Sequence, residues 1–219
     1  MVMATEELVP SGEVKLIWQP INRAQDDFVA SPAGSVLFSA AFGAGKTIAL
    51  CAKALKLSLD YPHNFGYICR KVRATIGLST LKTFLDLVCP KELITAYNKQ
   101  EGLITLTNGS QLLFGGLDDP LKLGSLGAGG VGFVGVDEAI ETVEDDWNML
   151  EGRLRLPGVP HQIFAATNPG LHPIIYIASS GLRGKGKSIK PVPTITRYCQ
   201  RTIRCVWLGL RAFTETAML

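Results

Sequence analysis

The eight residues Ala40-Ala41-Phe42-Gly43-Ala44-Gly45-Lys46-Thr47 constrain the fold of this chain more than any other stretch. They meet the pattern G-x-x-x-x-G-K-[S/T], except that Ala40 stands where the first glycine is usual. Such a loop binds phosphate through backbone N–H groups that converge on the anion. It therefore needs glycine where the chain approaches closely or takes a positive φ, and Gly43 and Gly45 supply that. Lys46 is expected to bring charge to the β- and γ-phosphates of ATP, the Thr47 hydroxyl to ligate Mg²⁺, and Ala44 to line the anion with its backbone. The chemistry works only where a strand enters the loop and a helix leaves it, so that the helix N-terminus faces the phosphates. Both flanks fit. Ser35-Val-Leu-Phe-Ser39 is a short apolar run, and residues 46–59, rich in Ala, Leu and Lys and ending before Pro62, read as a helix.

The same alternation continues along the chain. Phe65-Gly-Tyr-Ile-Cys69, Gly132-Phe-Val-Gly-Val136 and Gln162-Ile-Phe-Ala-Ala166 have the length and apolar character of strands buried on both faces. Further helices are expected over residues 76–88, ending before Pro90, and over 142–153, where Thr142 and Asp145 fit a capping pattern. The pattern predicts an α/β fold: a mostly parallel sheet flanked by helices. A small antiparallel hairpin is expected to interrupt it. There Ile104 and Leu106 alternate with threonines before Asn108-Gly109, and residues 111–114 follow. The glycine-rich stretch 124–132 reads as a mobile loop leading into the strand before Asp137.

Composition narrows the class. With 219 residues, 47% of them hydrophobic, the chain can bury one substantial core. No uncharged apolar run of membrane length occurs, and the N-terminus carries Glu6, Glu7 and Glu13 instead of a basic segment, so no membrane partner or signal peptide is expected. The five cysteines are scattered without a C-x-x-C pair, which suggests neither a disulfide framework nor zinc, and fits a reducing, cytoplasmic setting.

Phosphoryl transfer also needs a carboxylate near the metal and a group that activates water. Asp137 ends an apolar strand and is expected in the Mg²⁺ shell, with Glu138 beside it as general base. The next strand ends at Thr167-Asn168-Pro169-Gly170, on the sheet edge that carries the phosphate loop. Two readings of it stand: a hydroxyl and an amide that sense the γ-phosphate, or an ordinary Asn-Pro turn. Gln25 likewise has two readings, an amide that reads adenine or a solvated side chain. Arg70, Lys71, Arg73, Arg153 and Arg155 are candidates for DNA or phosphate contacts beside the plain reading of solvated charges.

In this order the motifs resemble the large terminase subunit of tailed double-stranded DNA bacteriophages. The resemblance covers residues 18–170. It rests on Gln25, Gly45-Lys46-Thr47, Ile68-Cys-Arg-Lys71, Asn108-Gly-Ser110, Gly116-Leu-Asp-Asp119, Val136-Asp-Glu-Ala139, Gly152-Arg-Leu-Arg155 and Ala166-Thr-Asn-Pro-Gly170. It implies a RecA-like P-loop ATPase domain over residues 1–170, in which ATP hydrolysis drives double-stranded DNA into a procapsid. Gln25 would be the adenine-reading glutamine, Lys46 and Glu138 would serve hydrolysis, and Thr167-Asn168 would couple it to movement. Implied partners are the portal protein and the small terminase subunit, with a homo-oligomeric ring on the portal, in the cytoplasm of an infected or lysogenic bacterium. A helicase-like RecA-type ATPase, or a nucleotide-binding remnant without motor activity, are the alternatives. The family's nuclease domain uses clustered aspartates, and no Asp follows Asp146, so no nuclease centre is expected here.

Beyond Gly170 the character changes. Eight of the 22 Lys/Arg and one of the 19 acids lie in residues 171–219, so the body carries a net −4 and the tail +7. Read in the other frame, the codons across residues 198–203 permit Leu-Pro-Glu-Asp-Tyr. Those across 210–218 permit Thr-Gly-Val-Tyr-Arg-Asp-Arg-Tyr, and those across 170–174 permit Pro-Pro-Ser-His. One frame serves all three, and each resembles what terminases place after the Asn-Pro-Gly turn. Residues 171–219 are therefore expected to be a frameshifted, poorly ordered tail that was not shaped for nucleic acid.

Overall fold

The structure is a computed structural model, and it describes residues 7–8, 14–15, 17–118, 129–169 and 205–206. Its centre is a seven-stranded sheet. The strands are β4 (Ser35–Ser39), β5 (Phe65–Arg70), β6 (Ile94–Asn98), β7 (Leu103–Leu106), β8 (Gln111–Gly116), β9 (Phe133–Val136) and β10 (Gln162–Thr167), in the spatial order β4-β10-β9-β5-β8-β7-β6. The first five in that order run parallel, and β7 and β6 close one edge antiparallel. Short antiparallel pairs lie outside it: β1 (Glu7–Leu8) with β2 (Val14–Lys15), and β3 (Ile17–Trp18) with β11 (Cys205–Val206). The tail expected over 171–219 and the loop expected over 124–132 otherwise lie outside the described residues, apart from positions 129–132.

The apolar runs are continuous because the sheet is covered on both faces. On one face Phe28, Phe38, Phe133 and Phe164 form an aromatic cluster, with ring centroids 5.3 to 6.1 Å apart along the chain of contacts. Helices α1 (Arg23–Ala30) and α2 (Lys46–Asp60) pack over it. On the other face Leu37, Tyr67, Val134, Val136, Ile163 and Ala165 meet Trp147 and Leu150 of α5 (Glu144–Glu151). Lys53 is buried under α1, where its ammonium donates to the Ser31 carbonyl at 2.7 Å and lies 5.7 Å from the Phe28 and Phe164 ring centroids. It satisfies a carbonyl at the C-terminal end of α1, where helices leave acceptors without intrahelical donors.

Three expectations are corrected. The helix expected over 76–88 is broken: α3 (Arg73–Leu78) ends at Ser79, whose φ of −126° and ψ of −75° lie outside the helical region. After it come α4 (Thr80–Thr83) and a wider π-type turn, Phe84–Val88. The hairpin is no insertion, because β8 pairs in parallel with β5 and so belongs to the main sheet. Its tip is anchored where Asn108 donates to the Ser58 carbonyl at 2.7 Å and Ser110 Oγ donates to the same carbonyl at 2.8 Å. Finally, α5 spans 144–151 rather than 142–153, and its cap is formed by Asp146, whose carboxylate accepts from the Val143 N–H at 2.8 Å. Thr142 is engaged elsewhere, donating to the Ala139 carbonyl and accepting from the Trp147 indole at 2.9 Å.

Candidate nucleotide site

The loop between β4 and α2 takes the conformation its glycines allow. Gly43 and Gly45 have φ of +73° and +71°, and no other loop residue is in the left-handed region, which explains why alanine is tolerated at position 40. Gly45 has a second constraint: a Cβ there would lie 2.3 Å from the Gln25 amide nitrogen. Gly45 also caps α2 without a side-chain hydrogen bond, so the helix directs its first backbone N–H groups toward the loop. The Lys46 ammonium donates to the carbonyls of Ala40 and Ala41 at 2.8 and 2.9 Å and sits 5.6 Å from the Phe42 ring centroid. Burial lowers its pKa, opposed by the carboxylates of Glu138 and Asp137.

Strand β9 delivers the acidic pair to the same edge, because it lies between β10 and β5 in parallel register with both. The Thr47 hydroxyl meets Asp137 at 3.3 and 3.4 Å across 90 residues of sequence. A hydroxyl and a carboxylate are the hard oxygen donors that Mg²⁺ takes, usually with phosphate oxygens and waters completing the shell. Glu138 has φ of +50° and ψ of +50°, a conformation that costs a non-glycine residue about 1 kcal/mol or more and recurs at functional sites. Burial raises its carboxyl above the ordinary range, Asp137 adds to the rise, and Arg70 and Lys46 oppose it.

Strand β10 adds the last predicted pair. The Ala40 N–H donates to the Thr167 carbonyl at 3.2 Å, tying the phosphate loop to this strand, and Asn168 Nδ2 donates to Glu138 Oε2 at 3.2 Å. Asn168 is thus in contact with the acidic pair.

Of the two readings of Gln25, the solvated side chain is corrected. Its side chain is wholly buried beneath the loop, where Nε2 donates to the carbonyls of Ala44 and Gly45 at 3.0 and 3.1 Å and Oε1 accepts from the Ile21 N–H at 2.7 Å. Here the amide braces the phosphate loop, so the expected hydrogen bonds to adenine would have to replace these. It is carried by α1, a helix absent from the sequence reading. Asn22 caps that helix by accepting from the Gln25 N–H at 3.0 Å, and Asn-x-x-Gln is the signal that could have found it.

Of the candidate cations, Arg70 donates to Ser79 Oγ at 2.8 Å, and its charge opposes the rise of the Glu138 pKa. Lys71 pairs with Asp146 at 2.8 Å, and Arg73 donates to the Gln100 carbonyl at 3.0 Å. The segment 153–155 packs against the approach to β9 through the Arg155 N–H and the Val131 carbonyl, at 3.2 Å. Thr80, which the sequence reading passed over, donates to Asp137 Oδ2 at 2.6 Å.

A mostly parallel, helix-flanked sheet with the 40–47 loop and the acidic pair at one edge is the arrangement of the RecA-like fold class. The model of the phage terminase large subunit family matches residues 34–172, and the chain belongs to that family. The fold is similar to the large terminase of the thermophilic bacteriophage D6E, at 15% identity and a TM-score of 0.59 over 69% of this chain. It spans only 40% of that terminase, which has also been solved with ADP and with ATP-γ-S. The large terminase ATPase domain of Thermus phage P74-26 matches at 18% identity and a TM-score of 0.59, over 76% of this chain and 72% of that one. The UvsW helicase of bacteriophage T4 shares the fold more distantly, at 10% identity and a TM-score of 0.51, over 72% of this chain and 57% of that one. No curated protein sequence matches. Among the described residues no helix is long and apolar enough to cross a membrane.

Proposed function

We propose that this chain hydrolyses ATP to translocate double-stranded viral DNA into a procapsid, as the ATPase part of a terminase large subunit. The observation that carries the reading is the meeting of the Thr47 hydroxyl with the Asp137 carboxylate, with Glu138 next in the chain and in contact with Asn168. Thr47 and Asp137 would hold Mg²⁺, which supplies charge neutralisation on the phosphates when bound. The loop N–H groups and Lys46 bind and orient the triphosphate, for which the ammonium exchanges the Ala40 and Ala41 carbonyls for phosphate oxygens. Glu138 accepts a proton from the attacking water. Its raised pKa strengthens it as a base, and Arg70 and Lys46 favour its ionised form. Asn168 orients that carboxylate and connects it to β10, from which Thr167 reaches back to the loop.

Double-stranded DNA, the portal protein, the small terminase subunit, a homo-oligomeric ring and a location in the bacterial cytoplasm belong to this proposal through the family. The test compares ATP hydrolysis by the wild type, Lys46→Ala and Glu138→Gln, with and without procapsids. Hydrolysis that procapsids stimulate and both substitutions abolish is the expected result. Equal background rates in all three would leave a nucleotide-binding remnant. Strand separation without procapsid stimulation would favour the helicase reading, which the shared fold with UvsW supports.

A further inference from the structure

The break between α3 and α4 has a chemical result. A continuous helix over 76–88 would not turn at Ser79, and it is directly after that turn that Thr80 meets Asp137. The Thr80 side chain is fully buried, and Asp137 is only 2% exposed. In this contact the Thr80 hydroxyl is the donor and Asp137 Oδ2 the acceptor. At 2.6 Å this contact has the length of a charge-assisted bond, whereas those from Thr47 are 3.3 and 3.4 Å. Thr80 is itself held from two sides. Cys51 of α2 donates to its carbonyl at 3.6 Å, and Ser79 Oγ, fixed by the Arg70 guanidinium, lies 3.4 Å from its hydroxyl.

We propose that Thr80 is the positioning residue of the metal carboxylate: by holding Asp137 Oδ2 it fixes the carboxylate facing Thr47, where Mg²⁺ would bind. The inference rests on the proposed function, in which Thr47 and Asp137 are the metal residues. A donor that fixes a ligating carboxylate influences metal affinity without touching the metal, and removing one typically costs about 10–100-fold in affinity. A threonine that merely satisfies its own hydroxyl in the core would influence stability alone.

The test titrates Mg²⁺ into the full chain with a fluorescent ATP analogue, comparing wild type, Thr80→Val, Thr80→Ser and Lys46→Ala. Thr80→Val keeps the shape and removes the donor. It should raise the half-saturating Mg²⁺ roughly tenfold while leaving nucleotide affinity in EDTA within about twofold. Thr80→Ser keeps the donor and should stay within about twofold of wild type in both. Circular dichroism checks folding, and Thr80→Ala replaces Thr80→Val if the valine variant is unfolded. The proposal is overturned if the donor-less variant has the wild-type Mg²⁺ requirement, or if Thr80→Ser is displaced as far as Thr80→Val. If wild type binds nucleotide and Lys46→Ala does not, while Thr80→Val matches wild type, the inference alone falls. If wild-type binding shows no Mg²⁺ dependence, the metal assignment falls and takes the inference with it.

Discussion

Replacing Lys53 with methionine isolates the energetic effect of a charge buried in the aromatic core. Burial depresses the Lys53 pKa to about 8 from an ordinary value of 10.5, with Lys56 adding to the effect. Below pH 8 the folded and unfolded chains both carry this proton, and the fold bears the whole cost of the charge. Between pH 8 and 10.5 the unfolded chain keeps the proton and the folded chain releases it, so stability rises with pH. At 1.36 kcal/mol per pKa unit, the Lys53 contribution should grow by roughly 2.5 kcal/mol from pH 7 to pH 10. Other groups act in the same window. Burial holds the thiols of Cys51, Cys69 and Cys89 above their usual range, Cys89 at about 12, so they ionise first in the unfolded chain and lower stability as pH rises. That effect is common to both proteins and cancels in their difference. At pH 7 Lys53→Met removes a cost of roughly 3 kcal/mol but leaves the Ser31 carbonyl without its donor, a loss of about 1–2 kcal/mol, so the variant should be more stable by about 1–2 kcal/mol. Urea unfolding followed by tryptophan fluorescence at pH 7, 8, 9 and 10 measures both quantities. A wild-type minus variant difference that stays flat across this range would refute the reasoning.

Three further outcomes are expected. Hydrolysis should lose activity as pH falls through the raised Glu138 pKa, so its acid limb should lie above the ordinary glutamate range. Arg70→Met, which removes one of the cations favouring the ionised form, should move that limb higher in a pH–rate profile. Gly45→Ala should cost about 2 kcal/mol or more in thermal unfolding, because alanine is strained at a φ of +71° and its methyl meets Gln25. Adding Gln25→Ala should recover part of that loss in a double-mutant cycle. For the tail, we propose that the bases encoding residues 171–219 specify the three terminase-like segments in one alternative frame, and sequencing the gene decides it.

Much of the site was legible in the sequence because its chemistry is local. A phosphate loop needs glycines, a lysine and a hydroxyl within eight residues, and buried parallel strands need unbroken apolar runs. Hence β4, β5, β9 and β10, the loop and the acidic pair could be read from residues 35–167. Helix α1 escaped because only a narrow stripe of it, Ala24, Gln25, Phe28 and Val29, is buried, too little to give a clear apolar period in eight residues. The break at Ser79 escaped because no proline marks it and the nearest glycine, Gly77, lies inside α3 rather than at the turn. Ser79 is fixed there by Arg70 and the Thr75 carbonyl, which are contacts of the folded chain.

What the sequence by itself determined is the set of groups a nucleotide site would require and the strands that carry them, since both follow from spacing and periodicity along the chain. Only the tertiary structure decided how those groups are held: Gln25 beneath the loop, Asn168 on Glu138 and Thr80 on Asp137. These pairs are 19, 30 and 57 residues apart, and hydrogen bonds over such separations depend on how strands and helices pack.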